Sequence, residues 1–473
     1  MTVVKFAWIT LLVVGAVAGA TATETKDEEF RTVVMNIKDP RVEPLTGLVF
    51  WKSTPSEFVN STTLEFLYLL YNDVVTGRNQ DGSIVYDWSP FESNLNSVKK
   101  RKHQALVRMR YADPDEDSTA VPDYIKAMRG YNETTFDGHI YPDWRFEELM
   151  RFHKQFYTDL SARYNGDPRI GFFQSGYGHW AEYHTYPTPI ELGVKFPSKE
   201  FQKEFFFHIE GLFDKTPISF GIESGMKQYS PVPEDWRLGP LSYGLFDDTF
   251  MLETHDIWQG GGYNERCLIA YNYTERFLRQ PIGGEIAVSD QPNFLAPEGV
   301  HGTTWENASS KYHITYMLAS GCRKGNYGTP ERVREAGKHA GYGILVTDFQ
   351  VSKTTARVTV KNNGIAPLYH ALYVTVNGVR SDTSMKLLAP DASKTYTVTG
   401  LSIDLDKLNE VNLTFTSDQL YPDQEVPYDA KVTNKDHDSS SSKTDPSLVD
   451  GDGASTLAVS SVLCIMALLA FSF

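Results

Sequence analysis

Between residues 44 and 341, short apolar or β-branched runs alternate with longer stretches of helical spacing, and nothing else in the chain constrains its fold as tightly. The runs are Leu48–Trp51, Phe66–Tyr71, Ala105–Tyr111, Ile170–Gln174, Pro217–Ile222, Tyr243–Phe246, Ile282–Val288 and His313–Ala319. The clearest helical stretches are Ser89–Lys102, Trp144–Tyr164, Ser198–Phe213, Tyr263–Leu278 and Pro330–His339. Asp87 and Ser89 are cap candidates for the first, with Pro90 at an early helical position, and Asp143 is an N-cap candidate for the second. Strand followed by helix, repeated, means parallel strands joined by crossover helices. Eight such units over roughly 300 residues is the size of a (β/α)8 TIM barrel. The alternative, an open doubly wound sheet, would be favoured by a glycine-rich phosphate loop after the first strand, and none is present.

After Gly341 the helical spacing stops. Ile344–Gln350, Ala356–Asn362, Tyr369–Val376, Lys394–Val398 and Val411–Thr416 are strand-like, with turns such as Asn362-Asn363-Gly364 and Asn377-Gly378 between them. The expected organisation is therefore an α/β chain with a barrel over 30–341 and a small all-β sandwich over 342–430. A polar linker over 431–452 follows, too rich in Ser, Asp, Lys and Thr to bury a core.

Both ends carry targeting patterns. Lys5 precedes an apolar stretch from Phe6 to about Val17, and Ala18-Gly19-Ala20 and Ala20-Thr21-Ala22 offer small-residue cleavage sites, so 1–22 reads as a secretory signal. At the other end, small residues at Gly451, Gly453, Ala454 and Ser455 precede an apolar run from Leu457 to Phe473 with no charge after it. That fits a GPI-attachment signal over 453–473, with attachment somewhere from Ser447 to Gly453; the alternative is a tail-anchored helix. The expected location is the outer leaflet of the plasma membrane, facing the extracellular space. Five N-x-S/T sequons, at Asn60, Asn132, Asn272, Asn307 and Asn412, agree with export. Outside the tail the cysteines are Cys267 and Cys322, an even pair in an oxidising compartment. They read as a disulfide, with two buried free thiols as the alternative. The formal net charge of −15 argues against a nucleic-acid partner.

The C-terminal ends of barrel strands face the active site. The fourth strand leads into a segment holding Tyr177, His179, Trp180, Glu182 and His184; the seventh ends at Glu285, the sixth at Asp247 and Asp248, and the third at Arg110. Glycoside hydrolysis needs one protonated and one ionised carboxyl on either side of the scissile bond, and strands four and seven face each other across a barrel mouth. Glu182 is expected as acid/base, its proton held by aromatic neighbours, and Glu285 as nucleophile of a retaining mechanism. Arg110, Tyr177, His179, Trp180, His184, Asp247 and Asp248 are expected to contact substrate. Trp236 and Trp258 are further candidates for a sugar-stacking platform, though core packing is the commoner use of such residues. His179, His184, His255 and His313 fall on separate segments without ligand spacing, so neither a metal nor another cofactor is expected.

Gly176-Tyr177-Gly178-His179-Trp180-Ala181-Glu182-Tyr183-His184 resembles the Gly-x-Trp-Gly-Glu-Trp-His segment of the family called domain of unknown function 4832, whose members resemble clan A glycoside hydrolases. Tyr164–Ile170, Phe246-Asp247-Asp248, Gly283-Gly284-Glu285, Lys311-Tyr312-His313 and Asn362–Pro367 resemble its other landmarks, so the likeness covers roughly residues 35 to 420. It implies a barrel plus sandwich and a polysaccharide or glycan as partner. One departure matters: clan A enzymes usually carry Asn before the fourth-strand Glu, to hold a sugar hydroxyl, and here that residue is Ala181. The alternative function is thus a non-catalytic carbohydrate-binding or adhesion glycoprotein on the same scaffold.

Overall fold

The computed structural model describes residues 29–185, 189–239 and 241–434. The two targeting segments and nearly all of the polar linker lie outside the described residues, as does the side chain of Trp236.

Eight parallel strands close into a barrel: β1 (Gly47–Trp51), β2 (Leu64–Leu70), β3 (Gln104–Arg110), β4 (Ile170–Ser175), β5 (Ile218–Gly221), β6 (Gly244–Phe250), β7 (Ile282–Ile286) and β8 (Ile314–Leu318). Closure is made by β8 against β1, with Tyr316 beside Gly47 and Leu318 beside Val49. The main outer helices are α1 (Ser89–Lys99), α2 (Glu147–Tyr164), α3 (Lys199–Ile209), α4 (Tyr263–Ala270), α5 (Trp305–Tyr312) and α6 (Pro330–His339). α5 is absent from the sequence expectation. Its run of Asn307, Ser309 and Ser310 looks like a loop, but Thr304 caps it through the Asn307 amide and Trp305, Ala308 and Tyr312 bury one face.

Strand parity divides the core in two. Along β3, Ala105, Val107 and Met109 pack outward under the helices, while Leu106, Arg108 and Arg110 point to the barrel axis. The same alternation sends Val49, Phe66, Phe172, Tyr316 and Leu318 inward, where they form one cluster with the apolar side chains of the sandwich.

The sandwich pairs a sheet of β9 (Ile344–Val351), β10 (Thr355–Asn362), β13 (Ser393–Thr399) and β15 (Asp429–Val432) with a second sheet of β11 (Tyr373–Val376), β12 (Val379–Arg380) and β14 (Leu413–Thr416). Two strands from ahead of the barrel, Arg31–Thr32 and Met35–Ile37, join the first sheet, pairing with β9 and β15. Residues 31–37, reckoned above with the barrel, thus belong to the sandwich sheet, and β15 carries that sheet past residue 430. Neither pairing shows in local pattern, because each short strand depends on a partner more than three hundred positions away.

The sandwich closes the bottom of the barrel. Tyr421 donates to the His103 carbonyl at 2.7 Å, His370 pairs with the Gly171 carbonyl at 2.9 Å, and Tyr342 donates to the Pro44 carbonyl at 3.0 Å. All three acceptors lie at or just before the N-terminal ends of barrel strands. The open mouth is therefore the C-terminal end, where the strand-end carboxylates gather.

Cys267 and Cys322 are free, buried thiols, not a disulfide. Cys267 sits in α4 on the β5 side, its carbonyl against Gly225. Cys322 sits in the turn after β8 on the β1 side, where Ser320 bonds the Trp51 amide. Both thiols should resist alkylation in the native protein and react after denaturation, and reductant should leave the melting temperature unchanged. Recovery of a linked peptide pair from unreduced digests would contradict this.

Candidate active site

A cleft of about 760 Å³ opens at the C-terminal mouth, lined by Trp51, Tyr68, Arg110, Asp113, Glu116, Trp180, Glu182, His184, Asp248, Thr249, Glu285 and Val288. Each acid reaches it by a different local device. Glu182 is carried by a tight loop after β4, in which Trp180 and Ala181 both take positive φ (53° and 62°) and the Gly178 amide donates to the Glu182 carbonyl at 3.0 Å. Only glycine fits at two places there: a Cβ on Gly176 would lie 2.0 Å from the Ala181 carbonyl oxygen, and one on Gly178 equally close to that of His184. Glu285 follows Gly284, whose own Cβ would meet the Asp247 carbonyl oxygen at 1.9 Å.

Below the cleft floor lies Arg108, fully buried between the rings of Phe66 and Phe246, at 5.1 and 4.6 Å from their centroids. Its Nε donates to Gln174 at 2.8 Å and its Nη1 to Glu182 Oε1 at 2.7 Å. The other Glu182 oxygen accepts from His184 Nε2 at 2.8 Å. Burial works against a charge on His184, but the hydrogen bond and charge of Glu182, with Asp248 behind, outweigh it and raise its pKa. Each Glu182 oxygen thus accepts from a side chain of its own.

Glu285 is the opposite case. Burial pushes its pKa up to about 8; Glu182 and Asp248 add their repulsion, against the pull of Arg108 and a hydrogen bond from Gln291. Asp248 is raised to about 7, again by burial first and then by Glu182 and Asp247. Glu223, in the short 3-10 turn after β5, shares a hydrogen bond with Asp248 and is held protonated by burial and by the Asp248 charge. Burial thus favours the protonated form of Glu285, as it does those of Asp248 and Glu223, while Glu182, expected as the proton donor, is ion-paired with Arg108. The neighbours of Glu182 in sequence do not reveal that ion pair.

Three residues expected at the substrate lie elsewhere. Tyr177 is fully buried among Trp144, Phe196 and Phe205. His179 is fully buried and stacked on Tyr141 at 4.9 Å, its pKa lowered by burial to about 4. Asp247 has the outward parity of its strand. It accepts from His255 Nε2 at 2.8 Å and from Asn264 Nδ2 at 2.8 Å, behind the barrel wall. Arg110, Trp180, His184 and Asp248 do line the cleft, as do Glu182 and Glu285. Trp258 is 60% exposed, but it packs toward Gly302 with its indole N–H on Asp256 and is not part of the lining.

Reading only strand ends overlooks Arg108 and Glu223. Parity could have found the first, since Arg108 shares a face with Arg110 in the middle of an otherwise apolar strand. Nothing local marks Glu223.

Glu182, His184 and Asp248 bring one potential ligand atom each within 4.8 Å of one another. They suit a metal poorly. Arg108 occupies one Glu182 oxygen, and His184 presents an N–H, not a lone pair, to the other.

His255 links the site to the wall behind it. Its Nδ1 donates to Asp256 at 2.6 Å, and Asp256 also accepts from Lys311 and Tyr312. Burial disfavours the His255 charge, but the two aspartates outweigh that and raise its pKa from 6.5 to about 9. Because the folded value is the higher, this charge contributes fully below pH 6.5 and its contribution is lost as pH rises through about 9. The amount is on the order of 3 kcal/mol. Thermal melts should show a fall across that window, and His255→Gln should melt lower at neutral pH and lose most of the dependence. An unchanged slope in the variant would assign the effect to other groups.

The fold and cleft together define a (β/α)8 barrel with a carboxyl-lined mouth and a sandwich at its base. No family model and no curated protein sequence matches the chain. Among solved structures it is similar to endo-glycoceramidase II from Rhodococcus sp., at 12% identity and TM-score 0.39, covering 76% of this chain and 98% of that one. It is also similar to an endo-beta-1,4-mannanase from Thermotoga petrophila, at 12% identity and TM-score 0.37, covering 84% and 98%. A family 39 glycoside hydrolase from Bacteroides cellulosilyticus matches at 10% identity and TM-score 0.35, covering 76% and 81%. Likenesses this remote do not bear on the chemistry of this chain.

Proposed function

We propose that this protein is a cell-surface glycoside hydrolase or transglycosylase acting on extracellular or wall polysaccharide, with Glu182 and Glu285 as its working pair. One observation carries the reading: a carboxylate held by a buried arginine and a carboxyl that keeps its proton to about pH 8 line the same aromatic-walled cleft. Those are the two protonation states that cleavage of a glycosidic bond requires. In this reading Glu285 gives its proton to the leaving oxygen. Glu182 attacks the anomeric carbon or activates water, and His184 holds its second oxygen in place. Trp51, 44% exposed, and Trp180 offer ring faces for a sugar.

The test is product release from wall polysaccharides and aryl glycosides by the purified protein, with Glu285→Gln as the control. A second reading, a non-catalytic glycan-binding protein on this scaffold, has a specific observation in its favour. Both Glu182 oxygens are already engaged, and Ala181, buried with a backbone-only role, cannot hold a sugar hydroxyl. Saturable binding with no product from any bound glycan would select it.

We also propose attachment to the outer leaflet through a C-terminal lipid, on the two apolar end segments and the sequons. Asn60, Asn132, Asn307 and Asn412 are exposed, while Asn272 is half-buried with its amide on Glu275. A phosphatidylinositol-specific lipase should release the protein from cells; resistance to the lipase combined with extraction by detergent would favour a spanning helix.

A further inference from the structure

Resting on the reading of this chain as an exported glycoprotein, we infer that Asn60 carries an N-linked glycan whose first sugars lie in a groove between barrel and sandwich. The groove holds about 520 Å³ and lies at the base of the barrel, opposite the cleft. Asn60, exposed in the turn that leads into β2, is part of its lining. The barrel side is completed by Pro40, Val42 and Pro44 ahead of β1, by Thr62, and by Arg334 of α6. The sandwich side is the Asp423-Gln424-Glu425 loop between β14 and β15.

Asn60-Ser61-Thr62 is the sequon, and Thr62 marks it as more than a chance match. Its side chain is 3% exposed, and among the described residues its hydroxyl has no hydrogen-bond partner. The next hydroxyl is used by the fold: Thr63 donates to the Thr46 carbonyl at 2.9 Å. An unpartnered buried hydroxyl is destabilising, and valine would fill the same space without one. What the Thr62 hydroxyl does supply is the third position of Asn-x-Thr, which is read on the chain before it is buried. There the Asn60 amide nitrogen displaces the diphosphate of a lipid-linked oligosaccharide. An N–C1 bond forms, the C1–O bond to the diphosphate breaks, and the amide gives up one proton. Asn272 is the contrary case. It sits at a left-handed φ of 50°, donates to Glu275 and accepts from Thr274, so the fold by itself accounts for both sequon residues.

A glycan on Asn60 is tethered at the groove, so its first sugars meet that surface at high effective concentration. A cavity of this size buries a drug-sized ligand, the scale of a di- or trisaccharide. Pro40, Val42 and Pro44 present apolar surface to the C–H face of a sugar ring. Arg334, which makes no ion pair among the described residues, presents donors to its hydroxyls. Seated there, the glycan bridges the turn before β2 and the sandwich loop, and the mouth at the other end of the barrel stays clear.

The experiment uses the secreted protein from a host that adds N-glycans. Peptide mass spectrometry should find Asn60 occupied. An endoglycosidase that cuts between the first sugars should trim the Asn60 glycan about tenfold more slowly in the native protein than after denaturation, because cleavage follows the population of the open form. Glycans at the other occupied sequons should be trimmed equally fast in both. Asn60→Gln should raise hydrogen exchange in the Asp423–Glu425 loop, and its exposed position keeps the fold out of the comparison. Equal trimming of the Asn60 glycan in native and denatured protein, or unchanged exchange in the variant, overturns the seat in the groove. An unoccupied Asn60 beside other occupied sequons overturns the whole inference and leaves export standing. No occupied sequon at all overturns both.

Discussion

Glu285→Gln should reduce turnover of glycosides with poor leaving groups by about 10²–10⁴, the usual contribution of a positioned general acid. The amide fills the same space between Gly284 and Gln291 but has no proton to give. Aryl glycosides whose leaving groups depart without protonation should be far less affected. The wild-type pH profile should carry a basic limb near 8, the value at which Glu285 loses its proton. In the variant that limb should vanish. Stability should move the other way. A carboxyl whose pKa rises on folding from 4.5 to about 8 costs stability as pH rises through that window, and a neutral amide does not. Glu285→Gln should therefore melt higher than wild type at pH 8 and equal to it at pH 4. If the variant keeps full activity on poor leaving groups, the acid is another residue, and Asp248, raised to about 7, is next in line.

Arg108→Met should be among the most damaging single changes to the fold itself, at about 3–5 kcal/mol, because it removes the buried guanidinium from Glu182 and leaves His184 to balance that charge by itself. Methionine keeps much of the packing between Phe66 and Phe246 and removes the charge. The companion change Glu182→Gln should return a large part of that loss in the double variant, since the charge that lost its buried partner is then gone. Additive losses would show that Arg108 stabilises through its stacking and its bond to Gln174 instead. Rim carboxylates are usually worth little to stability. Glu182 is not one of them: it is bound from below by a guanidinium that sees no water.

The eight barrel strands were legible because each carries its own signal. A β-branched or apolar run between helical stretches has its period written in consecutive residues, and the chain order of strand and helix dictates parallel pairing. The facing of Glu182 and Glu285 followed from the same count, since a closed barrel puts the ends of its fourth and seventh strands at one mouth. Asp247 and Asp248 could have been told apart too, because parity along β6 sends one outward and the other in. What the sequence could not hold is anything set by partners remote in the chain. Residues 31–37 became strands only because β9 and β15 offered free edges. Cys267, in α4, and Cys322, in the turn after β8, are an even pair in sequence but stay free thiols in the fold. Above all, the pairing of Glu182 with Arg108, 74 residues earlier and on another strand, exists only in the closed barrel. A proton's preference is fixed by burial and by the charges within a few ångströms, and only the closed barrel brings those charges together.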